Sequence, residues 1–276
     1  ILEYLNETID EYDLRNDILL NNKIKSANWN SDQSIWELSI EENNETKNMT
    51  CNFLFLCGGY YSYTKPHMPS FKNEESFSGD IVHPQFWNKD IEYNDKKIAV
   101  IGSGATAITI VPALAKIAEH VTMIQRSPTY VVSGPSEDKI NKFLRKILPT
   151  KITYFLIRWK NILWQSFTFS MARKYPERTK NKILELIREE LGPDFDIEKH
   201  FTPTYKPWDQ RICLVPDSDL FNSIKNKKAS IVTETIKEFQ SDGIMLDSGQ
   251  KIEADIIITA TGIELNSFND INVTID

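Results

Sequence analysis

Apolar and polar positions follow the clearest pattern between residues 96 and 128. Residues 98–101 form a short apolar run that predicts a buried strand, and apolar side chains recur at helical spacing over residues 108–118. Residues 120–125 predict a second strand. The residues between the first strand and the helix, 102–107, read GSGATA, which is a glycine turn of the form G-x-G-x-x-A. This order of elements predicts a βαβ unit that binds a dinucleotide.

Each position of the turn suits a bound anion. Gly102 lets the chain fold sharply out of the strand, and Gly104 removes a Cβ where a pyrophosphate would approach the main chain. The backbone N–H groups at the helix start would face the anion, and the helix dipole would add to the attraction. The candidate cofactor-binding residues here are Gly102, Ser103, Gly104, Ala105 and Thr106. The alternative interpretation is an ordinary strand-to-helix turn.

The end of the second predicted strand indicates which dinucleotide would bind. An NAD site usually carries Asp or Glu there to accept from the ribose 2′-OH, whereas an NADP site has a nearby Arg for the 2′-phosphate. This strand ends in Gln125, Arg126 and Ser127, without a carboxylate. Arg126 offers a permanently charged planar fork and Ser127 a hydroxyl donor, so the sequence favours NADP(H). The alternative is that Arg126 is a solvated surface arginine.

The residues before this unit predict a helix, strands and a linker. Residues 1–12 have the spacing of a surface helix packed on a core, and residues 18–26 and 35–40 predict two antiparallel strands. Residues 50–57 are apolar and predict a buried strand that ends at a glycine pair beginning with Gly58. Regular periodicity is absent from residues 60–95, which predict a linker, and loops of that length are usually functional.

The residues after the unit predict a helical insertion followed by strands. Apolar residues recur at helical spacing within about 136–200, and they either wall a substrate channel or pack on the sheet. Charged residues interrupt these stretches, so no membrane span is expected. Strands are predicted at residues 230–239 and 254–260, and the second ends in small residues that suit close passage of the main chain to a cofactor.

Composition narrows the function classes. The net charge of −7 argues against a general nucleic-acid binder, whose affinity depends on neutralising phosphates. The four histidines have no metal-ligand spacing with each other or with cysteine, so no metal is expected. Three scattered cysteines fit buried thiols in a reducing compartment such as the cytoplasm. The chain begins at Ile1 rather than Met, and we expect it to be an internal fragment of a longer polypeptide.

The predicted linker contains Phe77, Gly79, His83 and Trp87 in the pattern F-x-G-x-x-x-H-x-x-x-W. This pattern resembles the fingerprint of Baeyer–Villiger monooxygenases, a branch of the class B flavin-dependent monooxygenases that also include the N- and S-oxidising flavin-containing monooxygenases. The tryptophan is typical of the ketone-oxidising branch. Asn88 departs from the Pro or Asp that usually follows it. The resemblance extends over nearly the whole chain.

The resemblance implies an α/β fold in which a Rossmann-like NADP-binding domain is inserted into an FAD-binding domain, here incomplete. Residues 1–57 would belong to the FAD-binding domain, 58–95 to the linker with the fingerprint, and 96–260 to the NADP-binding domain with its helical insertion. Residues 261–276 would return to the FAD-binding domain. Gly58 would mark the first crossing between domains, and Thr261 and Gly262 the second. No second glycine turn is present in the sequence.

The resemblance also implies roles for two side chains. An arginine in the region of residues 202–215 reaches the flavin in the similar enzymes, and Arg211 matches it best. Its fixed charge would stabilise the anions formed during oxygen transfer. The alternative is a structural ion pair with Asp209 or Asp217. His83 would order the cofactors or act as a hinge at the domain junction, and the alternative is a purely structural histidine.

The function implied by the resemblance is an NADPH- and FAD-dependent enzyme that inserts one oxygen atom from O2 into a ketone. Two other functions remain open: oxidation of a nitrogen or sulfur atom, and a non-catalytic NADP(H)-binding module. The fragment alone is expected to be inactive. The sequence carries no signal of an oligomeric state.

Overall fold

Two stretches separated in sequence, Ile1–Pro66 and Ile263–Asp276, form one unit of the structure, and the residues between them, His67–Gly262, form a second. The structure, a computed structural model, describes residues 1–276. The first unit is called unit 1 and the second unit 2.

The strands, in chain order, are β1 (Asn22–Asn30), β2 (Ile35–Glu42), β3 (Glu45–Cys51), β4 (Tyr61–Pro66), β5 (Asp80–Val82), β6 (Lys97–Ile101), β7 (His120–Gln125), β8 (Tyr130–Gly134), β9 (Ile212–Pro216), β10 (Ala229–Thr233), β11 (Ile236–Gln240), β12 (Gly243–Leu246), β13 (Lys251–Glu253), β14 (Ile256–Thr259), β15 (Ile263–Leu265) and β16 (Asn272–Ile275). The helices are α1 (Leu2–Glu11), α2 (Ala105–Leu114), α3 (Lys139–Ile147), α4 (Thr150–Lys174), α5 (Pro176–Leu191), α6 (Ile197–Phe201) and α7 (Asp219–Lys225). Short 3-10 turns lie at Arg15–Asp17, Glu74–Ser76, Pro84–Phe86 and Ser267–Asp270.

A five-stranded parallel sheet forms the centre of unit 2, with the strand order β10-β7-β6-β14-β5. The predicted strand, glycine turn, helix and strand are confirmed as β6, α2 and β7. Strands of this sheet read as continuous apolar runs because both faces are covered. Alternate residues of β6 accordingly belong to different clusters: Ile98 and Val100 lie on one side, Ala99 and Ile101 on the other.

Different layers cover the two faces of this sheet. Helices α2, α5, α6 and α7 contribute to the cluster on the first face, together with residues of β8 and β9. The antiparallel meander β11-β12-β13 contributes Phe239, Ile244 and Leu246 to the cluster on the second face. The mixed α/β fold with a parallel sheet that the sequence predicts is therefore confirmed.

The helical region is divided between packed and exposed helices. Helix α5 buries Ile183, Leu184 and Ile187, so this part packs on the core of unit 2. Helix α4 is 25 residues long but buries only Thr153 and Ala172. The interpretation that this region packs on the sheet therefore holds for α5, whereas α4 leaves most of its side chains exposed.

Unit 1 is built on a four-stranded sheet with the order β16-β1-β2-β3. Its buried core is small and consists of Ala27, Leu38 and Ile40. Helix α1 forms where a helix is predicted, but it buries no residue, so its expected packing on a core is wrong.

Four further sequence predictions are wrong in detail. The buried strand expected at 50–57 ends at Cys51, and Phe53 and Phe55 are 81% and 82% exposed, because no strand pairs with this segment. The linker expected at 60–95 contains β4 and β5. The single strand expected at 230–239 is two strands, β10 and β11, which belong to different sheets. The expectation of buried thiols holds for Cys213 but not for Cys57, which is exposed, and all the cysteines are free.

Candidate dinucleotide site

The glycine turn joins the end of β6 to the start of α2. Gly102 has φ +140°, and its N–H donates to the Ile124 carbonyl at 2.8 Å. A Cβ at Gly102 would lie 2.4 Å from the Ala260 carbonyl oxygen, just beyond β14. The turn therefore needs glycine both for its backbone angle and for the close approach of neighbouring main chain.

The first backbone N–H groups of α2 have no partner within the helix. Gly104 is the N-cap and provides no side-chain cap, and the first backbone bond of the helix runs from Ile108 N–H to the Gly104 carbonyl at 3.1 Å. The N–H groups of Ala105, Thr106 and Ala107 lie before that bond and are available to an anion. The cofactor-binding role expected of residues 102–106 stays a prediction.

The end of β7 lies beside this turn, because the Ser103 hydroxyl donates to the Ser127 carbonyl at 3.1 Å. Gln125 is buried, and its Nε2 donates to the His200 carbonyl and to Thr233 Oγ1, each at 2.8 Å. Arg126 is exposed and makes no ion pair or side-chain hydrogen bond. The residue that directly follows β7 therefore carries an unpaired guanidinium.

A second guanidinium lies directly over the turn. A Cβ placed on Gly104 would be 3.4 Å from Arg211 Nη2, which is an ordinary van der Waals distance, so the guanidinium lies against the turn. The alternative structural ion pairs are wrong, since Asp209 pairs with Arg173 and Asp217 accepts from a serine hydroxyl. Arg211 is thus an unpaired cation beside the glycine turn.

Tyr205 fixes the backbone that carries Arg211. Its hydroxyl donates to the Arg211 carbonyl at 3.3 Å and bonds the Thr129 hydroxyl at 2.8 Å. Its own carbonyl accepts from the buried Tyr130 hydroxyl at 2.8 Å. Sequence reasoning does not identify Tyr205, because two of its three partners, Thr129 and Tyr130, lie about 75 residues away. An aromatic residue in an irregular, proline-flanked stretch is the only signal.

His83 contacts the chain segment that follows β14. Its Nδ1 accepts from the Gln85 N–H at 3.2 Å, so its Nε2 carries the proton and donates to the Gly262 carbonyl at 3.0 Å. Burial lowers the pKa of His83, which keeps the ring neutral. The adjacent Thr261 hydroxyl donates to the His67 carbonyl at 2.6 Å. His83, Thr261 and Gly262 are therefore brought together at the last residues of unit 2, and sequence reasoning did not identify His67.

The other fingerprint residues pack in the core. Phe77 is buried on the meander face of the sheet, and Trp87 stacks on Tyr93 with ring centroids 5.0 Å apart. A Cβ at Gly79 would lie 2.0 Å from the Asp255 carbonyl oxygen, so glycine is required there. The fingerprint thus builds the edge strand β5 and its packing against β14.

Gly58 lies in unit 1. Its carbonyl accepts from the Tyr63 hydroxyl at 3.1 Å and from Asn269 Nδ2 at 3.0 Å. It therefore belongs to a local backbone network within that unit.

The geometry around the glycine turn fits a phosphorylated ligand. Free amides at a helix start and two unpaired guanidiniums supply charge-assisted donors for a pyrophosphate and an additional phosphate. No group of three or more His, Cys, Asp or Glu side chains has metal-binding geometry. No helix combines the length and apolarity needed to cross a membrane.

The chain resembles flavin monooxygenases in sequence. The model of the FMO-like family, described as flavin-binding monooxygenase-like, matches residues 1–273. FAD-containing monooxygenase EthA of Mycobacterium tuberculosis (strain ATCC 25618 / H37Rv) is 47% identical over 277 aligned positions, which cover 100% of this chain and 57% of EthA. The probable FAD-binding monooxygenase AlmA of Acinetobacter baylyi is 43% identical, over 99% of this chain and 55% of AlmA. The chain thus spans little more than half the length of these relatives.

The fold matches solved monooxygenase structures. An oxidized steroid monooxygenase bound to NADP aligns with a TM-score of 0.77 and 20% identity, over 99% of this chain and 58% of that chain. An ε-caprolactone-bound cyclohexanone monooxygenase aligns with a TM-score of 0.73 and 18% identity, over 99% of this chain and 60% of that chain. These two likenesses concern the fold. The family match over residues 1–273, together with the identity to EthA, shows that the chain belongs to the flavin-binding monooxygenase-like family.

Proposed function

We propose that this chain supplies the NADPH-binding part of an FAD- and NADPH-dependent monooxygenase that inserts one oxygen atom from O2 into a ketone. The observation that carries the proposal is the pair of unpaired guanidiniums, Arg126 and Arg211, beside a glycine turn with free amides. Family membership supports FAD as the second cofactor, as does the FAD-containing EthA.

The residues of the turn would share the charge of NADPH. The amides of Ala105 and Thr106 would bind the pyrophosphate, with Gly102 and Gly104 allowing close approach. Arg126 would bind the 2′-phosphate bidentately, and Ser127 would add a donor. These groups distinguish NADPH from NADH because only NADPH carries the additional phosphate.

Gln125 and Tyr205 would support the two arginines of the site rather than contact the cofactor. Gln125 is engaged by His200 and Thr233, so the side chain that could accept from a ribose hydroxyl is turned into the core. Tyr205 holds the backbone of Arg211. Arg211 would therefore reach the dinucleotide from a fixed main-chain position, with a planar guanidinium suited to a phosphate.

The flavin side of the site is supported by fewer residues of this chain. FAD, when bound, would accept hydride and react with O2, while the protein supplies position and charge. His83 would order the turn that contains Thr261 and Gly262 through its bond to the Gly262 carbonyl. It would act as a positioning residue and not as a proton donor, because burial holds it neutral.

The proposal of a ketone substrate rests on the fingerprint tryptophan and on the shared fold with cyclohexanone and steroid monooxygenases. Trp87 itself packs on Tyr93 and belongs to the core of unit 2. It therefore favours the ketone branch through family pattern and not through contact with a substrate. Asn88, which departs from that pattern, keeps oxidation of a nitrogen or sulfur atom as the second candidate function.

Product analysis tests the proposed reaction. The full-length protein, loaded with FAD, is supplied with NADPH and ¹⁸O2 together with either a ketone or a thioether. We expect an ester or lactone carrying one labelled oxygen from the ketone. Sulfoxide as the dominant product would support the second candidate, and NADP(H) binding with no flavin retained would support a non-catalytic binding module.

Arg211→Ala separates two roles for this arginine. From its position over Gly104 we expect a raised Kd for NADPH, with product yield per NADPH restored at saturating cofactor. If the variant at saturation consumes NADPH but yields no oxygenated product, Arg211 acts in oxygen transfer, as the family resemblance implies.

A further inference from the structure

Helices α3 and α4, residues 139–174, leave an unusual surface uncovered; they are called the basic hairpin here. Helices in globular proteins gain most of their stability from an apolar face packed on other elements. Helix α4 has 25 residues and buries only Thr153 and Ala172, and α3 buries none. The apolar side chains of the basic hairpin therefore face solvent.

The exposed apolar side chains are large. On α4, Leu163 and Trp164 are 63% and 64% exposed, and exposed aromatic rings occur along most of the helix. On α3, Phe143 and Ile147 are exposed to a similar degree. Large exposed apolar side chains concentrated on two neighbouring helices indicate a binding face, whereas single exposed apolar residues are ordinary.

The same surface is uniformly basic. Residues 139–174 contain nine Lys and Arg residues and no Asp or Glu, in a chain whose net charge is −7. Three of these cations have a carboxylate partner elsewhere in unit 2, namely Lys142, Lys160 and Arg173. The remaining six form no ion pair; they are Lys139, Arg145, Lys146, Lys151, Arg158 and Lys174. The charge is thus largely unneutralised.

We propose that the basic hairpin binds the surface of an anionic lipid bilayer. Helices that carry Lys and Arg together with exposed Trp, Phe and Leu lie in the membrane interface, where apolar burial and attraction to anionic headgroups add together. Helix α3 separates its apolar and basic side chains onto two faces, whereas on α4 the two kinds are mixed around the helix. Neither helix is long and apolar enough to cross the bilayer, so the contact is peripheral.

The composition favours a bilayer over a protein partner. Six of the nine basic residues are lysines, which protein–protein interfaces deplete. Lysine stems can lie along apolar surface while the charge reaches the headgroups. Trp159 and Trp164, both exposed on α4, are the ring type enriched at the membrane–water interface. This inference does not depend on the proposed reaction.

Vesicle binding by the full-length protein tests the proposal. We expect co-sedimentation with equimolar phosphatidylglycerol and phosphatidylcholine vesicles, weaker binding to phosphatidylcholine alone, and a large loss at about 0.5 M salt because screening removes the electrostatic attraction. The variant K139E/K146E/K151E should lower the partition coefficient by about 10-fold or more. None of these three lysines has an ion-pair partner, so their reversal breaks no bond within the chain.

The matched control is K89E/K116E/K237E. It changes the net charge by the same amount at exposed, unpaired lysines of unit 2 outside the basic hairpin, and we expect its partition coefficient to stay within about 2-fold of the parent. Equal losses in the two variants would contradict a local binding face.

Tryptophan quenching locates the contact. Brominated lipid should quench Trp159 and Trp164, so that a protein carrying W159F/W164F loses most of the quenching while the other tryptophans respond little. Absence of vesicle binding, or binding with Trp159 and Trp164 unquenched, overturns the proposal. The latter result would mean that another part of the protein covers the hairpin and that a different surface meets the lipid.

Discussion

Helices α2 and α4 differ in burial although apolar residues dominate both. Helix α2 has 10 residues, and half of them are buried: Ala107, Ile108, Val111, Pro112 and Leu114. Helix α4 is more than twice as long and buries two. The central sheet covers α2, whereas α4 contacts mainly α3 and α5. Helical spacing therefore predicts a helix, but only a facing surface decides whether its apolar side chains become core.

The largest effect is expected at the turn that joins this sheet to α2. Gly102→Ala would place a Cβ 2.4 Å from the Ala260 carbonyl oxygen at φ +140°, so neighbouring main chain must move. We expect a loss of about 4 kcal/mol or more in the free energy of unfolding, measured by chemical denaturation.

Gly249→Ala is the control for Gly102→Ala. Gly249 also has a positive φ, +87°, but no atom lies within 4 Å of the added Cβ. The control should lose only about 1 kcal/mol, the cost of the backbone angle itself. Similar losses in both variants would show that the close contact with Ala260 does not cause the loss of stability in Gly102→Ala.

The next largest effect is expected when an apolar side chain is truncated in α2 and in α4 and the free energy of unfolding is compared. Ile108→Ala in α2 removes a side chain that is 2% exposed, and we expect a loss of about 2 to 5 kcal/mol. Leu163→Ala in α4 removes a side chain that is 63% exposed, and we expect a change within about 0.5 kcal/mol in the absence of lipid. A loss of several kcal/mol for Leu163→Ala would mean that another part of the full-length protein buries α4.

A smaller effect comes from pH. In unit 2, His83 is buried and His200 is half-buried, and this desolvation lowers the pKa of both below the ordinary 6.5. The unfolded chain then binds more protons than the native state, so stability is retained above pH 6.5 and falls as the pH drops from 6.5 toward the native pKa. Thermal melts should show this fall, and His83→Gln and His200→Gln together should make it shallower. An unchanged slope in the double variant would contradict the assignment.

The sequence predicts the centre of unit 2 well for a physical reason. The pattern of β6, α2 and β7 is local: an apolar run, a glycine turn and helical spacing are each encoded within a few residues. Arg126 follows from the same pattern, because its position relative to the turn depends only on the βαβ connection. The placement of Ser103 beside Ser127 agrees with it.

Features that depend on distant partners are predicted less well. Residues 53–56 are as apolar as a core strand, yet no neighbouring strand pairs with them. Strand β5 has only three residues, and it is a strand because β14 pairs with it from far along the chain. The position of Arg211 over Gly104 also joins residues more than one hundred positions apart. Local pattern carries no information about such contacts.

The most direct test of the account is the cofactor preference of Arg126→Ala in the full-length protein. Loss of a charge-assisted contact should raise the Kd for NADPH about 10- to 100-fold and leave the Kd for NADH nearly unchanged. Arg178→Ala serves as the control. Arg178 is an exposed arginine of α5 that lies over the Tyr175 ring, and its removal should change neither the Kd for NADPH nor the Kd for NADH. Equal weakening of NADPH and NADH by Arg126→Ala, or no weakening of NADPH, would contradict the central claim that this guanidinium binds the 2′-phosphate.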